Sequence, residues 1–399
     1  MIKTKPLLIN LLLTLVAIFL HGYLTQKFFD LQNGLASGQS LCNLSSVWNC
    51  DVVSTSKYAR FAGFPLALWA LVTHLVYLVA QSGLLIRQEL RDTWATLVAT
   101  LTLLIAGASV VMAFISMTQL KTFCLFCFIA YGLSITNFLF LKLAGFEFKT
   151  ALAGFGQAAR EKVTWGALVA IPVLTFVLAK NWGGPATDSR MQTRIQDAVA
   201  SWQAAPAMNF EVGSGLRLGA DPAEAKMTLV EFADFRCPHC KHAAPTLKAF
   251  VLSRPDVALI FKPYPLDGTC NAAPVFKGQG DGISCRLAYA MQCSEKLDQN
   301  GWEMTSHIFD HQEEYLQLRN LELVDSKLCE SGLVKDCEAF KACMSADDTR
   351  LSIQKMAEEG TQAGIRGTPA FFMNGKSLSG GQFLPILEEA ERKFRSQSN

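Results

Sequence analysis

Three cysteine pairs in this chain have spacings suited to thiol–disulfide chemistry: Cys124-Leu-Phe-Cys127, Cys237-Pro-His-Cys240, and Cys42 with Cys50. A bridge between Cys124 and Cys127 would close almost no loop, so it would remove little entropy from the unfolded chain and serve poorly as a staple. On a helix, positions 124, 127 and 131 fall at i, i+3 and i+7, which puts two sulfurs and the Tyr131 phenol on one stripe. The run 123–143 is apolar enough for a membrane helix. Two thiols in that setting suit electron exchange with an acceptor dissolved in the bilayer. Packing as two small hydrophobes is the competing use, and the other pairs argue against it.

The elements that must position these residues divide sharply. Half of the 399 residues are hydrophobic, but residues 1–182 are mostly apolar blocks, whereas 183–399 read as a water-soluble domain. A net charge of +2 argues against a nucleic-acid partner. Twelve cysteines spread over both halves point to an oxidising compartment. Five spans are expected, at about 7–28, 63–85, 94–117, 123–143 and 163–181. Lys3 and Lys5 resemble a signal-peptide start, but the apolar run is long and no small-x-small site follows, so an uncleaved anchor is expected. Lys3 and Lys5, Arg87 and Arg91, then Lys149, Arg160 and Lys162 alternate onto one side, which the positive-inside rule makes cytoplasmic. Lys57 and Arg60 count against this orientation. Residues 29–62, the 117–122 turn and everything after 181 then share the opposite side.

The 29–62 loop therefore hangs over the face where Cys124 and Cys127 lie, and it carries Cys42 and Cys50. In isolation that pair reads equally as a static disulfide. Above a membrane-embedded pair it reads as a relay, because exchange passes through mixed disulfides between neighbouring sulfurs. Cys42, Cys50, Ser56, Cys124-Leu-Phe-Cys127 and Tyr131 together resemble the vitamin K epoxide reductase family over about residues 1–145. The resemblance implies an α-helical membrane bundle of four helices around a quinone, with Cys127 nearest the quinone and Cys124 exchanging with the loop. It also implies that Ser56 and Tyr131 hydrogen-bond the quinone oxygens; hydroxyls are the least costly donors to place in hydrocarbon. The span after the loop lacks the asparagine that vertebrate members place at the quinone. His21 and His74 fall inside spans, where an ionisable group invites a functional reading such as proton handling; a neutral, packed role is the alternative.

After the fifth span, residues 183–189 read as a linker. The strand-like run 227–235 leads into Cys237-Pro-His-Cys240 and then into helical periodicity, a thioredoxin-like arrangement. Cys237 at a helix N-terminus gains stabilisation of its thiolate from free amides and the helix dipole, and His239 adds charge or a donor. A stabilised thiolate makes the disulfide a strong oxidant, and Cys240 is the resolving thiol. Thr368-Pro369 before an apolar strand fits a cis proline facing these cysteines. These motifs resemble DsbA over about residues 226–399, which implies a soluble α/β thioredoxin-like domain. Glu231 matches the buried acid of that family, with Lys262 as its expected partner; a plain salt bridge is the alternative.

A helical insertion, about 268–350, holds Cys270, Cys285, Cys293, Cys329, Cys337 and Cys343. Structural disulfides are expected there, with Cys270–Cys285 one of them; an extra redox pair is the alternative. No metal is expected: Cys237 and Cys240 lack a second knuckle, and His307 and His311 lack a third ligand.

The domains expected are a membrane core at 1–145, a cytoplasmic loop and fifth helix at 146–182, a linker at 183–225 and the thioredoxin-like domain at 226–399. The function expected is a membrane thiol:quinone oxidoreductase in a bacterial inner membrane, with its N-terminus cytoplasmic and its soluble domain periplasmic. Electrons would run from reduced exported proteins to Cys237/Cys240, Cys42/Cys50, Cys124/Cys127 and a quinone of the ubiquinone or menaquinone type. A disulfide isomerase or reductase, and a non-catalytic redox sensor or chaperone, are the competing readings.

Overall fold

The computed structural model describes residues 3–36, 40–44, 47–86, 91–146, 162–182 and 189–397. Arg87, Lys149, Arg160 and the 183–188 stretch lie outside the described residues. The chain divides into two units, Met1–Asp30 with Ser40–Ser189 and Leu31–Gln39 with Arg190–Asn399.

The first unit is built from long apolar helices. They are α1 (Thr4–Gln32), α3 (Leu66–Ile86), α4 (Arg91–Ile115), α5 (Leu125–Leu143) and α6 (Lys162–Asn181), with a short α2 (Cys50–Thr55) in the loop after α1. Four stretches are long and apolar enough to cross a membrane: Thr4–Gln32, Leu66–Ile86, Asp92–Leu120 and Leu125–Leu143. The fifth expected span is helical, but its apolar part, Trp165–Asn181, is shorter than these. Leu68, Leu71 and Val72 of α3 pack with Leu97, Val98 and Leu101 of α4 in one core. Leu12, Phe19, Val79, Val110 and Phe114 instead stand exposed on outer faces, an arrangement that suits hydrocarbon and would be costly in water. Inside the bundle, Asn10 Nδ2 donates to the Asn137 carbonyl at 2.8 Å, and the Tyr77 hydroxyl joins Asn10 and Thr102. Such bonds tie α1, α3, α4 and α5 where apolar burial alone gives helices no reason to associate.

Between α2 and α3 lies a tight hairpin of β1 (Arg60–Phe61) and β2 (Phe64–Pro65). Its two central residues, Ala62 (φ 49°) and Gly63 (φ 84°), both take positive φ, as a type I′ turn requires. After α4, a π-helical turn at Ser116–Leu120 is closed by Lys121 in the left-handed region, whose amide donates to the Ser116 carbonyl at 3.0 Å.

The second unit contains α7 (Ser189–Ala204) and a sheet of β3 (Leu216–Gly219), β4 (Met227–Ala233), β5 (Val257–Pro263), β6 (Ala370–Met373) and β7 (Lys376–Ser377), in the order β3-β5-β4-β6-β7. Strands β4 and β5 are parallel and joined through α8 (Pro238–Leu252), while β3, β6 and β7 pair antiparallel. Burial on both faces explains why β4 and β5 read as near-continuous apolar runs. Helices α9 (Ile283–Asp298), α10 (Gly301–Asp310), α11 (Gln312–Gln317), α12 (Leu321–Cys329), α13 (Cys337–Ser345) and α14 (Asp347–Gln362) come between β5 and β6, and α15 (Leu384–Gln397) ends the chain. Disulfides join Cys270 to Cys285, Cys293 to Cys343 and Cys329 to Cys337. The second spans 50 residues, so it removes the most freedom from the unfolded chain.

Candidate active site

In the membrane unit, Cys42 is disulfide-bonded to Cys50 and Cys124 to Cys127. The fold brings the two bridges together through the backbone. The Asn49 amide donates to the Phe123 carbonyl at 2.8 Å, and the Phe123 amide donates to the Val47 carbonyl at 2.7 Å. Cys50 and Cys124 each follow one of these bonded residues, and both share one buried cluster with Leu24 and Cys42, against which Cys127 packs. Asn43 locks the loop: its Oδ1 accepts from the Cys50 amide at 2.9 Å, and its Nδ2 donates to the Asp51 carboxylate at 2.6 Å. Asn49 caps α2 by accepting from the Val52 amide at 3.0 Å. Neither asparagine stands out in the sequence, since a polar loop residue carries no periodic signal.

Cys124 departs from the helical stripe expected for it. It is the N-cap of α5, with extended backbone (φ −102°, ψ 113°), and its Sγ accepts from the Cys127 amide at 3.1 Å. Cys127 and Tyr131 remain one turn apart on the helix proper, and both line a cavity of about 620 Å³ with Trp69, His21 and His74. That volume and the apolar character of its wall fit a small aromatic ligand. Ser56 is not in the wall; its hydroxyl donates to the Val53 carbonyl at 2.7 Å, while Ser54 faces the cavity. Sequence spacing cannot see this, because a two-residue step around a helix end redirects a side chain.

In the soluble unit, Cys237 and Cys240 are free thiols, both buried. Cys237 is the N-cap of α8, and its Sγ lies 3.3 Å from the Thr368 carbonyl, next to the cis Thr368–Pro369 bond. The Cys240 thiol, by hydrogen bonding, is the main influence holding Cys237 down at about 5, against the opposing effect of burial. Thr368 and the Cys240 and His239 amides help. His239 thus acts through its backbone; its ring is exposed. Burial, then its bond to Cys237, pushes Cys240 well up. The two thiols are therefore split into one nucleophile and one held in reserve.

Glu231 is fully buried, and its Oε1 has no hydrogen-bond partner. Burial first, and the charge of Cys237 second, raise its carboxyl to about 8. The expected pairing with Lys262 is not made. In the parallel register Glu231 lies beside Phe261 and Lys262 beside Phe232, so the two side chains point to opposite faces of the sheet. Lys262 instead bonds the Glu359 carboxylate and donates to Ser214 Oγ and the Glu211 carbonyl, both at 2.8 Å. One contact carried no sequence signal: Gln312 of α11 donates to the Phe235 carbonyl at 2.8 Å and the Cys237 carbonyl at 3.0 Å. Among the described residues no group of three or more His, Cys, Asp or Glu is placed to hold a metal ion.

Comparison with known proteins gives two family matches, the Vitamin K epoxide reductase family over residues 8–142 and Thioredoxin over residues 213–384. The chain is 26% identical over 171 residues to the Na(+)/H(+) antiporter NhaA 3 of Salinispora tropica, a match covering 42% of this chain and 23% of the antiporter. It thus spans under a quarter of that relative's length. It is 24% identical over 191 residues to the Probable disulfide bond formation protein D of Bacillus cereus, covering 47% of this chain and 82% of that protein. Among solved structures it is similar to oxidised BdbD from Bacillus subtilis, with a TM-score of 0.39 and 21% identity, covering 48% of this chain and 98% of BdbD. This chain joins a domain of the vitamin K epoxide reductase family, residues 8–142, to a thioredoxin-family domain, residues 213–384.

Proposed function

We propose that this chain is a membrane thiol:quinone oxidoreductase that makes disulfide bonds in exported proteins. A substrate dithiol is oxidised by the Cys237–Cys240 disulfide through a mixed disulfide at Cys237. The resulting Cys237 thiolate, favoured by its depressed pKa, attacks Cys42 and releases Cys50; Cys240 then displaces Cys42 and restores the Cys237–Cys240 bridge. Cys50 attacks Cys124 and releases Cys127, and Cys42 resolves that intermediate to leave Cys124 and Cys127 reduced. A quinone bound in the cavity supplies a sink for two electrons and two protons. Tyr131 offers it a hydroxyl donor, and the apolar wall shields the partly buried sulfur of Cys127.

The observation that carries this reading is the pair of backbone hydrogen bonds at Phe123, which hold Cys50 and Cys124 in one buried cluster. Exchange needs neighbouring sulfurs, and a merely structural loop disulfide has no need of a second bridge beside it. The proposed setting is a bacterial inner membrane, with the N-terminus cytoplasmic and the thioredoxin-like domain, about 226–399, on the periplasmic side. The membrane core would occupy 1–145, the loop and fifth helix 146–182, and the linker 183–225. A trapping experiment tests the exchange step. With Cys42→Ala and Cys127→Ala combined, the resolving thiols are gone, and peptide mapping is expected to find a stable Cys50–Cys124 bridge. Recovery of both as free thiols under oxidising conditions would refute that step.

A further inference from the structure

Two histidines of the cavity wall each leave one ring nitrogen that the protein does not answer. His21 Nδ1 and His74 Nε2 are both buried and have no hydrogen-bond partner, and both residues line the cavity that Cys127 and Tyr131 also face. Leaving a buried polar atom unpaired costs about 1–3 kcal/mol, so the pair points to something that binds between them. Their rings are neighbours, 4.9 Å apart centroid to centroid and tilted by 40°.

The chemistry of what binds there follows from the tautomer of His74. Its Nδ1 lies 2.8 Å from the Ala70 carbonyl, and a carbonyl only accepts, so Nδ1 carries the hydrogen and Nε2 of the neutral ring is a bare acceptor. His21 has no bond that fixes its tautomer and is free to present an N–H. The site therefore pairs one acceptor with one donor. A hydroxyl satisfies both; a carbonyl oxygen, which has no hydrogen to give, satisfies His21 alone. Resting on the quinone reading above, we propose that His21 and His74 form a hydroxyl-selective subsite that binds the reduced ligand more tightly than the oxidised one. The overall step balances: the dithiol of Cys124 and Cys127 gives up two electrons and two protons as its disulfide forms, and the quinone takes both to become quinol. The pair then favours electron flow away from the thiols by holding the O–H that this step creates.

Equilibrium binding of a short-chain ubiquinone analogue and of its quinol to the full chain in detergent, under anaerobic conditions, tests this. Quenching of tryptophan fluorescence reports occupancy, since Trp69 is in the cavity wall. His74→Asn retains an amide able to donate to Ala70 but is too short to place its oxygen where Nε2 stood; it is expected to weaken quinol binding about tenfold and leave quinone binding unchanged. His74→Gln, which restores an acceptor oxygen, is expected to recover most of that loss, and His21→Phe to weaken both ligands. If Tyr131→Phe weakens quinone binding while His74→Asn does not separate quinol from quinone, the subsite is refuted and the quinone reading stands. If the unmodified chain binds neither ligand, both fall.

Discussion

At the scale of single residues, the chemistry rests on unequal partners made from identical side chains. Cys237 and Cys240 differ only in place, yet the first is held at about 5 and the second is pushed well above its usual range. Alkylation of the reduced protein tests that split. Only thiolate reacts, so the rate at Cys237 is expected to stay on its plateau from pH 8 down to pH 6, fall to half near pH 5 and decline tenfold per unit below that. An ordinary cysteine would already be losing rate below about pH 8.5. A midpoint near 8.5 would contradict the assignment. The sequence made the cysteine pairs legible because their spacing is itself the chemical signal. It did not make Glu231 legible as an unpaired acid, since the register of β5 against β4 decides that Lys262 faces Phe232 rather than Glu231. Ser56 and Ser54 differ by two positions, and only the backbone at the end of α2 tells which one reaches the cavity.

At the scale of elements, short polar segments hold the thiols while long apolar ones hold the segments. Helix lengths were readable from hydropathy, because a span has one requirement along its whole length. Where α5 begins was not readable: the backbone pairing at Phe123 keeps that residue and Cys124 out of the helix, and this makes Cys124 a cap. Of the six insertion cysteines, Cys270–Cys285 was expected and is found, but the pairing of the other four was open, since three patterns satisfy the same sequence, and helix packing selects among them. Gln312 shows how the insertion serves the site, since α11 reaches two carbonyls just before the start of α8. Gln312→Leu leaves the buried Phe235 carbonyl without that donor and is expected to destabilise the domain by about 1–3 kcal/mol. Urea denaturation of the reduced chain checks this; an unchanged midpoint would show that the contact is idle.

At the scale of the whole molecule, two domains that each carry a dithiol chemistry are encoded in one chain. Covalent linkage makes their encounter intramolecular. The membrane unit carries two bridges in one buried cluster and a cavity beside the second. The soluble unit carries a nucleophilic thiol beside a cis proline. The proposed function makes these sites one path for electrons, and the measurement that tests it most directly is anaerobic quinol formation by the purified chain supplied with a reduced, unfolded thiol protein. The wild type is expected to reduce quinone, and Cys237→Ala, Cys50→Ala and Cys124→Ala are each expected to lower the rate at least a hundredfold. Quinone left oxidised by the wild type while substrate disulfides still reshuffle would contradict the relay and make the soluble domain an isomerase.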